Sequence, residues 1–371
     1  MKSDFIIVGG GVHGMAAAYN LALRGAESVL VIEADTVASG ASGGFGQRGV
    51  RANRRDLREL PLMREANEIW PTLHEELRAP TGYDRTGGAY LIDGPAKNGF
   101  KGIHAAETYA RVQSALGIAT ETWTRDKVRE IYPGISDDVH GASFVPTDGV
   151  ASHEATTIAF ANAARRLGVQ VLEHTRVTSV ETGADGGVAA VVTSTEQRIV
   201  VGVSVLLANN TGVRDLVLDA TGVDLPMWPI YPQGARLSSS TAARIPILTG
   251  HETRSLSVKM LGDEIMLTGG WRGKNATVDQ ANLRDNIAVL QSVFPYLDDL
   301  AVISADASRA ESASVDQLPI IGRLVPNLYV ATGWSGHGWA IAPAVARHLA
   351  GALLANSEAA ALAAFRPSRF H

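Results

Sequence analysis

The stretch from Asp4 to Arg24, DFIIVGGGVHGMAAAYNLALR, constrains this 371-residue chain more than any other. Phe5, Ile6, Ile7 and Val8 form a short, continuously apolar run, the pattern of a strand buried on both faces of a parallel sheet. The glycine turn Gly9-x-Gly11-x-x-Gly14 follows, and then Met15, Ala16, Ala18, Tyr19, Leu21 and Ala22 recur at helical spacing until Arg24-Gly25. Gly9 permits a tight turn, Gly11 lets a pyrophosphate approach the backbone, and Gly14 lets the helix pack close on its strand. Val12 and His13 then stand at a helix start whose free N–H groups face the phosphates. A second apolar strand is expected from Ser28 to Ile32, with Glu33 at its end, 19 residues past Gly14. A carboxylate there accepts hydrogen bonds from ribose hydroxyls and repels a 2′-phosphate. A lone glycine motif is a weak signal; strand, helix, second strand and terminal Glu in register predict dinucleotide binding. Which dinucleotide is held, this stretch leaves open.

Composition excludes more than it selects. An apolar content of 46% supplies a large core, and a net charge of −5 with Lys and Arg dispersed gives no basic stripe, so nucleic acid is not an expected partner. Cysteine is absent, which excludes disulfides, thiolate metal sites, a cysteine nucleophile and a cofactor tethered through cysteine sulfur. The first strand begins by residue 4 and no apolar run reaches spanning length. The expectation is therefore a cytoplasmic protein with no membrane partner and no metal.

After Glu33 and Ala34 comes Ala38-Ser-Gly-Ala-Ser-Gly-Gly-Phe-Gly-Gln-Arg-Gly-Val-Arg51. So many small residues (Ser39, Ala41, Ser42 and Gly43 among them) suggest backbone packed on a flat ligand, with Gln47, Arg48 and Arg51 reaching for its polar groups. A second block opens at Asp148, with Ser152 as N-cap of a helix to Leu167 and Gly168 as its C-cap. Strands are expected at Val169 to Glu173, extended through Val177 to Val180, then at Gly187 to Thr193, Arg198 to Val201 and Val203 to Ala208, ending in Asn209-Asn210-Thr211-Gly212. A third block runs through Asp316 to Gly322 and Asn327 to Gly333 into Trp334-Ser335-Gly336-His337-Gly338-Trp339-Ala340 and a helix to Leu354. Here again a strand feeds a glycine-rich turn that opens into a helix.

Between the blocks, Leu57 to Leu77 reads as helix interrupted at Pro61 and Pro71, Glu107 to Leu116 and Thr124 to Ile131 as helices, and Gly82 to Ile92 and Gly141 to Val145 as strand regions. Leu225 to Gln233 suits a proline-punctuated edge strand. Ala235 to Leu237, Ile247 to Leu248, Ser255 to Met260 and Glu264 to Gly270 suggest an antiparallel sheet, followed by a helix from Val278 to Val293. Trp228, Tyr231, Met266 and Trp271 are candidates to line a pocket or to fill core.

In these three blocks and their order the sequence resembles the flavoprotein amine and amino-acid oxidoreductases, the family of glycine oxidase, D-amino-acid oxidase and sarcosine oxidase. The resemblance implies an α/β fold: a Rossmann-like FAD-binding domain (1–80, 146–224 and 305–371) with a second, antiparallel-sheet α+β substrate domain (81–145 and 225–304). It implies FAD rather than NAD, held non-covalently for want of a cysteine. Gly9, Gly11, Val12, His13, Gly14, Glu33 and Ala34 would hold its nucleotide half, and the backbone near Val177 would touch adenine. Ser39, Ala41, Ser42, Gly43, Gln47 and Arg48 would follow it to the flavin. Asn210, Thr211 and Gly212 replace an Asn-Ala-Ala-Gly turn of the family, with polar side chains that either bond the cofactor or face solvent. Gly333, Ser335, Gly336, His337, Gly338, Trp339 and Ala340 would meet the flavin pyrimidine edge, where a helix N-terminus stabilises charge on the reduced ring by roughly 0.3 to 2 kcal/mol.

The implied reaction passes a hydride from the substrate α-carbon to flavin N5 and leaves an imine that water hydrolyses, the protein supplying orientation and a neutral amine. Arg48 and Arg51 fall where sarcosine oxidases carry two arginines, one beside the flavin and one on the substrate carboxylate. Arg51 is the expected anchor, offering a bidentate fork, unless it forms an ion pair with Asp56 or Glu59. His337 has two open roles, a hydrogen bond within its turn or direct catalysis. Met266, Gly270 and Ala340 stand where monomeric sarcosine oxidases have an oxygen-assisting lysine, a pocket histidine and a carboxylate-binding lysine. The expectation is a less polar pocket and, as substrate, a secondary amine or amino acid bulkier than sarcosine. The electron acceptor, O2 or a redox partner, stays open. The alternatives are a 2-hydroxy-acid dehydrogenase on the same fold, or a flavin-bearing subunit of a complex or homo-oligomer.

Overall fold

The computed structural model describes residues 1–42, 46–94, 101–241, 245–269, 272–273 and 275–370. Strand β1 (Lys2–Val8), helix α1 (Val12–Leu23) and β2 (Val29–Ile32) open the chain, and the short strand β3 (Gln47–Val50) closes the small-residue loop. Helices α2 (Leu60–Ile69) and α3 (Leu73–Leu77) follow; Pro61 and Pro71 sit in first turns, where a missing N–H loses no helical bond. Next come β4 (Gly88–Asp93), α4 (Ile103–Ala115), β5 (Glu121–Thr124), α5 (Arg125–Ile131), β6 (Val139–Val145) and β7 (Gly149–Ser152). Helix α6 (His153–Arg166) is capped by the Ser152 hydroxyl, which accepts the Ala155 N–H at 3.2 Å, and ends at Gly168 with φ +91°. Then follow β8 (Gln170–Leu172), β9 (Val177–Thr182), β10 (Val188–Thr193), β11 (Arg198–Leu207), α7 (Gly212–Thr221), β12 (Met227–Pro232), β13 (Gly234–Ser238), β14 (Leu248–His251), β15 (Ser257–Leu261), β16 (Glu264–Thr268) and β17 (Arg272–Gly273). The chain closes with α8 (Gln280–Val293), β18 (Ala301–Asp306), β19 (Glu311–Ser314), β20 (Ile320–Val325), β21 (Leu328–Thr332) and α9 (Ala342–Ala355).

The first large sheet has the order β20-β21-β11-β1-β2-β8, parallel throughout except for the β20–β21 hairpin, with β10 and β9 continuing from β11. Helices α1, α6 and α9 bury one face, through residues such as Met15, Phe160 and Leu349, and α7 covers the other with Val213 and Val217. The second large sheet has the order β18-β13-β16-β15-β14-β4-β6-β5, with α5 and α8 packed on one face through Val128, Leu283 and Leu290. Two small sheets, β17-β12-β19 and β3-β7, bridge the space between. No helix among the described residues is long and apolar enough to cross a membrane.

The structure departs from the sequence reading in several places. The second sheet is antiparallel except where β4 and β14 run parallel, because β4 enters it from an earlier part of the chain. Val169 to Val180 is not one extended strand: His174 adopts φ +55°, and β8 adds to β2 while β9 pairs with β10. Conversely β11 is a single ten-residue strand where two were expected, since Gly202 continues it against Asp4. Strand β12 is no edge; β19 and β17 divide its length, so Pro229 and Pro232 interrupt no continuous ladder. Helix α7 and strands β3, β5 and β7 carried too short or too small-residue a pattern to stand out.

The joint between β1 and α1 is the tightest point of this frame. A Cβ on Gly14 would lie 1.9 Å from the Gly9 carbonyl oxygen, and one on Gly9, itself at φ +111°, 2.7 Å from that of Ala208. Gly14→Ala is accordingly expected to cost about 1 to 3 kcal/mol or more. The check is the melting temperature of the variant, which should fall.

Candidate active site

The nucleotide end is built from the carboxyl edge of the parallel sheet. Gly11 is the N-cap of α1, without a side-chain cap, and a Cβ placed on it would meet nothing within 4 Å. The helix start is thus open exactly on the side a phosphate would approach, with its N–H groups unshielded. Glu33 is held over this turn: one carboxylate oxygen accepts the Gly10 N–H at 2.6 Å and the other the Asp35 N–H at 2.9 Å. His13 is buried and stacks on Trp334 with centroids 3.5 Å apart and planes 7° apart. Burial pushes its imidazole down to about 3, so the ring is neutral across the physiological range. Its Nδ1 and the Asn209 Oδ1 are buried and lack partners among the described residues. Open backbone at Gly11, a carboxylate at the second strand end and orphaned polar atoms together fit a bound dinucleotide.

Asn210, at φ +57°, spends its side chain on the neighbouring segment. Its Oδ1 accepts the Ser312 N–H and hydroxyl, both at 2.9 Å, and its Nδ2 donates to the Ala310 carbonyl at 2.9 Å. Thr211 precedes α7 without a side-chain cap bond, and Gly212 begins that helix where a Cβ would lie 2.7 Å from Asn209 Nδ2. Val177 opens β9, buried.

The loop after Glu33 is pinned at both ends. Ser39 donates to the Thr36 carbonyl at 2.8 Å; Ala34 and Ala41 are half-buried, and Gly43 lies outside the described residues, as do Gly270 and Trp271. Ser42 donates to Glu311 at 2.5 Å, and the other oxygen of Glu311 accepts the Gly336 N–H at 2.7 Å, so one carboxylate ties the loop to the third block. Strand β3 pairs Gln47 with Ser152 and Arg48 with Ala151. Arg48 donates to the Ser42 carbonyl at 3.0 Å and lies 3.8 Å from Met266 Sδ; burial lowers it to about 10 against the pull of Glu311 and Asp306. Arg51 sits over the Tyr90 ring, 5.1 Å from its centroid, and donates to the Asn53 carbonyl. It pairs with neither Asp56 nor Glu59, because Arg58 takes the first and Arg55 the second, each at 2.9 Å. The turn that carries Arg51 is held by Asp148, a fully buried carboxylate that accepts the N–H groups of Ala52 at 2.6 Å and Asn53 at 3.1 Å. Burial pushes Asp148 up to about 7 in spite of those bonds and of Arg51 and Arg55.

In the third block Gly333, Ser335 and Gly336 take positive φ, at +69°, +54° and +89°. The Ser335 hydroxyl accepts the Ser314 N–H at 3.1 Å, and a Cβ on Gly338 would strike the Trp334 ring at 2.4 Å. The Ala340 carbonyl accepts Trp70 Nε1 at 2.8 Å, and Trp339 packs between Trp70 and His153. His337 points its Nδ1 at Glu59, 3.3 Å away, while its carbonyl accepts Arg55 at 2.7 Å. Burial would raise Glu59, but Arg55 and His337 outweigh it and leave the carboxyl below its usual range. Sequence reasoning missed Arg55, Glu59, Asp148 and Glu311. Only the i, i+4 spacing of Arg55 and Glu59 hinted at a pair, and nothing in it hinted at burial. Of the proposed pocket liners, Met266 is buried against Arg48, whereas Trp228 is 48% exposed and belongs to the surface.

An open-ended parallel sheet with a phosphate-ready helix start, beside a second sheet, is the architecture of a dinucleotide-binding protein. The sequence matches the family of FAD-dependent oxidoreductases (DAO) over residues 4–352, and the chain belongs to that family. It is 28% identical over 387 residues to sarcosine oxidase subunit beta of Arthrobacter sp, covering 99% of this chain and 91% of that one. In structure it is similar to L-proline dehydrogenase from P. horikoshii (TM-score 0.87, 25% identity, 100% and 98% covered). It shares its fold with glycine oxidase from Geobacillus kaustophilus (TM-score 0.85, 21% identity, 99% of each chain covered). The expected fold class and FAD dependence are therefore borne out.

Because His13 is held neutral by burial, the unfolded chain binds more protons than the folded one between its ordinary 6.5 and about 3. Stability should be intact above pH 6.5 and decline as pH falls through that window, by an amount on the order of 3 kcal/mol by about pH 4. His13→Phe, which keeps a ring against Trp334, is expected to flatten this acid limb in melting curves recorded against pH.

Proposed function

We propose that the chain uses non-covalently bound FAD to oxidise an amine or amino acid bearing a carboxylate, and that the product imine is hydrolysed by water. FAD, when bound, supplies the acceptor for the hydride that leaves the substrate α-carbon. The observation that carries the reading is Arg51: it has no carboxylate partner among its neighbours Asp56 and Glu59 and lies on Tyr90 at the face of the second sheet. A guanidinium so placed is available to a substrate carboxylate as a bidentate fork, while the aromatic ring fixes its plane. Arg48, kept beneath Met266 by β3, adds positive charge beside the flavin, and the turn from Gly333 to Ala340 offers a helix N-terminus to the reduced ring.

In this reading Gly9 to Gly14, Glu33 and Val177 hold the nucleotide half of FAD, residues 34 to 48 and 210 to 212 line its path, and residues 333 to 340 meet the ring. His337 orients its turn through Glu59. Residues 81–145 and 225–304 form the substrate side. The chain works either alone with O2 or as a subunit that passes electrons on; its likeness along 99% of its length to a protein named as a sarcosine oxidase subunit favours the second arrangement. No helix among the described residues crosses a membrane, which agrees with a cytoplasmic setting.

The test is anaerobic mixing of the yellow protein with sarcosine, L-proline, other N-alkylated amino acids, both enantiomers of the common amino acids, and 2-hydroxy acids. Loss of visible flavin absorption is expected with at least one carboxylated amine bulkier than sarcosine. Bleaching by hydroxy acids alone, or by nothing in the panel, would replace the amine reading. Arg51→Ala should raise KM for the best carboxylated amine about ten- to a hundred-fold with little change in kcat, the equivalent of one charge-assisted contact. An unchanged KM removes Arg51 from the carboxylate.

A further inference from the structure

The second sheet carries an ionisable residue over this site that none of the steps above employs. Val258 and Met260 of β15, with Ile265 and Leu267 of β16, belong to the apolar cluster under α8, so the alternating residues Lys259, Leu261 and Met266 occupy the opposite face. That face turns to the cofactor loop. The Leu261 side chain lies against Gly46, that of Leu248 against Gly49, and Met266 Sδ against Arg48. Lys259 stands directly across the ladder from Met266, which in turn pairs with Arg236 of β13. On the other side, Tyr90 of β4 covers the bare Cα of Gly250 and carries Arg51 on its ring.

Lys259 is 4% exposed, and no hydrogen bond or ion pair of its amine is found among the described residues. An ammonium in that position is costly to keep charged. Burial pushes it down to about 7, with Arg48 of β3 repelling it further. The other charges around it do not reverse this. Arg236 is matched by Glu264 at 2.6 and 2.8 Å, Arg51 stands over Tyr90, and Glu311 and Asp306 act on Arg48.

We propose that Lys259 is the general base of the site, accepting a proton from the ammonium of the bound amine. The step rests on the reading of the chain as an amine-oxidising flavoprotein. The substrate N–H bond breaks, its electron pair stays on the substrate nitrogen, and the proton goes to the lysine nitrogen. The neutral amine so formed is the form whose α-hydrogen FAD, when bound, would accept as hydride. Among the described groups near the site, arginine does not deprotonate, the His337 ring faces Glu59, and His153, pushed down to about 4, is too weak a base at neutral pH; Asp148, though pushed up to about 7, is fully buried with both oxygens held by the Ala52 and Asn53 N–H groups.

The test compares the FAD-loaded wild type with Lys259→Met, close in shape and unable to take a proton, and Lys259→Arg, which keeps the charge permanently. With the panel amine that bleaches the wild type fastest, the anaerobic bleaching rate of the wild type should rise with pH about a midpoint near 7. Lys259→Met should lose that limb and slow by roughly 10²- to 10⁴-fold, and Lys259→Arg should not restore it. A Lys259→Met variant with the wild-type rate and profile overturns the proposal while leaving the amine reading intact; rescue by Lys259→Arg overturns it in favour of a fixed cationic role. A panel in which no amine bleaches the wild type overturns the amine reading and this step with it. A readout independent of turnover comes from 13C-labelled lysine, of which the chain has six residues. The resonance missing in Lys259→Met should titrate near 7 in the substrate-free protein, and a midpoint in the ordinary lysine range removes the base.

Discussion

The close approach of three backbone segments at the end of β1 is the constraint on which the site depends. Gly9 is pressed on Ala208 at the end of β11, Gly14 on Gly9, and His13 lies flat on Trp334 from the turn after β21. The first and last of these contacts join different blocks of the chain and the second packs α1 on its own strand, so the glycines do more than make room for a ligand. They let the ends of β1 and β11 and the turn after β21 converge on one point, at which a helix N-terminus is left open. A side chain at Gly9 or Gly14 would push these ends apart before it touched any cofactor, which is why the motif and the sheet order are one constraint and not two.

Carboxylates then fasten the loops to this frame. Glu311 bonds the loop at Ser42 and the turn at Gly336, Asp148 bonds the turn after β3, and Glu59 lies between Arg55 and His337. All are acceptors for backbone N–H groups, a hydroxyl or charged partners; Asp148 and Glu59 do this in places shielded from water, where an unpaired group would cost several kcal/mol and a satisfied one fixes geometry. Arg55 shows the logic most directly: it is buried, and it bonds the Arg51 carbonyl, the Glu59 carboxylate and the His337 carbonyl at 3.1, 2.9 and 2.7 Å. The turn after β3 that carries Arg51 and the turn before α9 are thereby set relative to each other by a single side chain.

Much of the frame was legible because it is written in local patterns. The apolar run of β1, the glycine spacing, the Ser152 cap and the alternation in β13 to β16 each specify their own element. What stayed hidden depends on partners distant in sequence. Strand β3 exists because β7 lies beside it, β11 runs unbroken because β1 accompanies it, and β12 lies inside a sheet because β19 and β17 reach it from later in the chain. The carboxylate fasteners were invisible for the same reason, since an Asp or Glu that will be buried reads in sequence like one that will be solvated.

Met266 illustrates how a strand read alone misleads about a surface. Taken along β16, a methionine in place of a lysine implies a less polar site. Across the ladder, however, Lys259 of β15 stands beside it, on the same face and with Cβ atoms about 4.5 to 5.5 Å apart as antiparallel partners require. The chemistry of a sheet face is a property of rows that cross the strands, so an amine can move one strand over while hardly changing its place in space. The face above Arg48 thus carries a lysine nitrogen one strand over, so the less polar surface that Met266 alone implies is not the surface the crossing row presents.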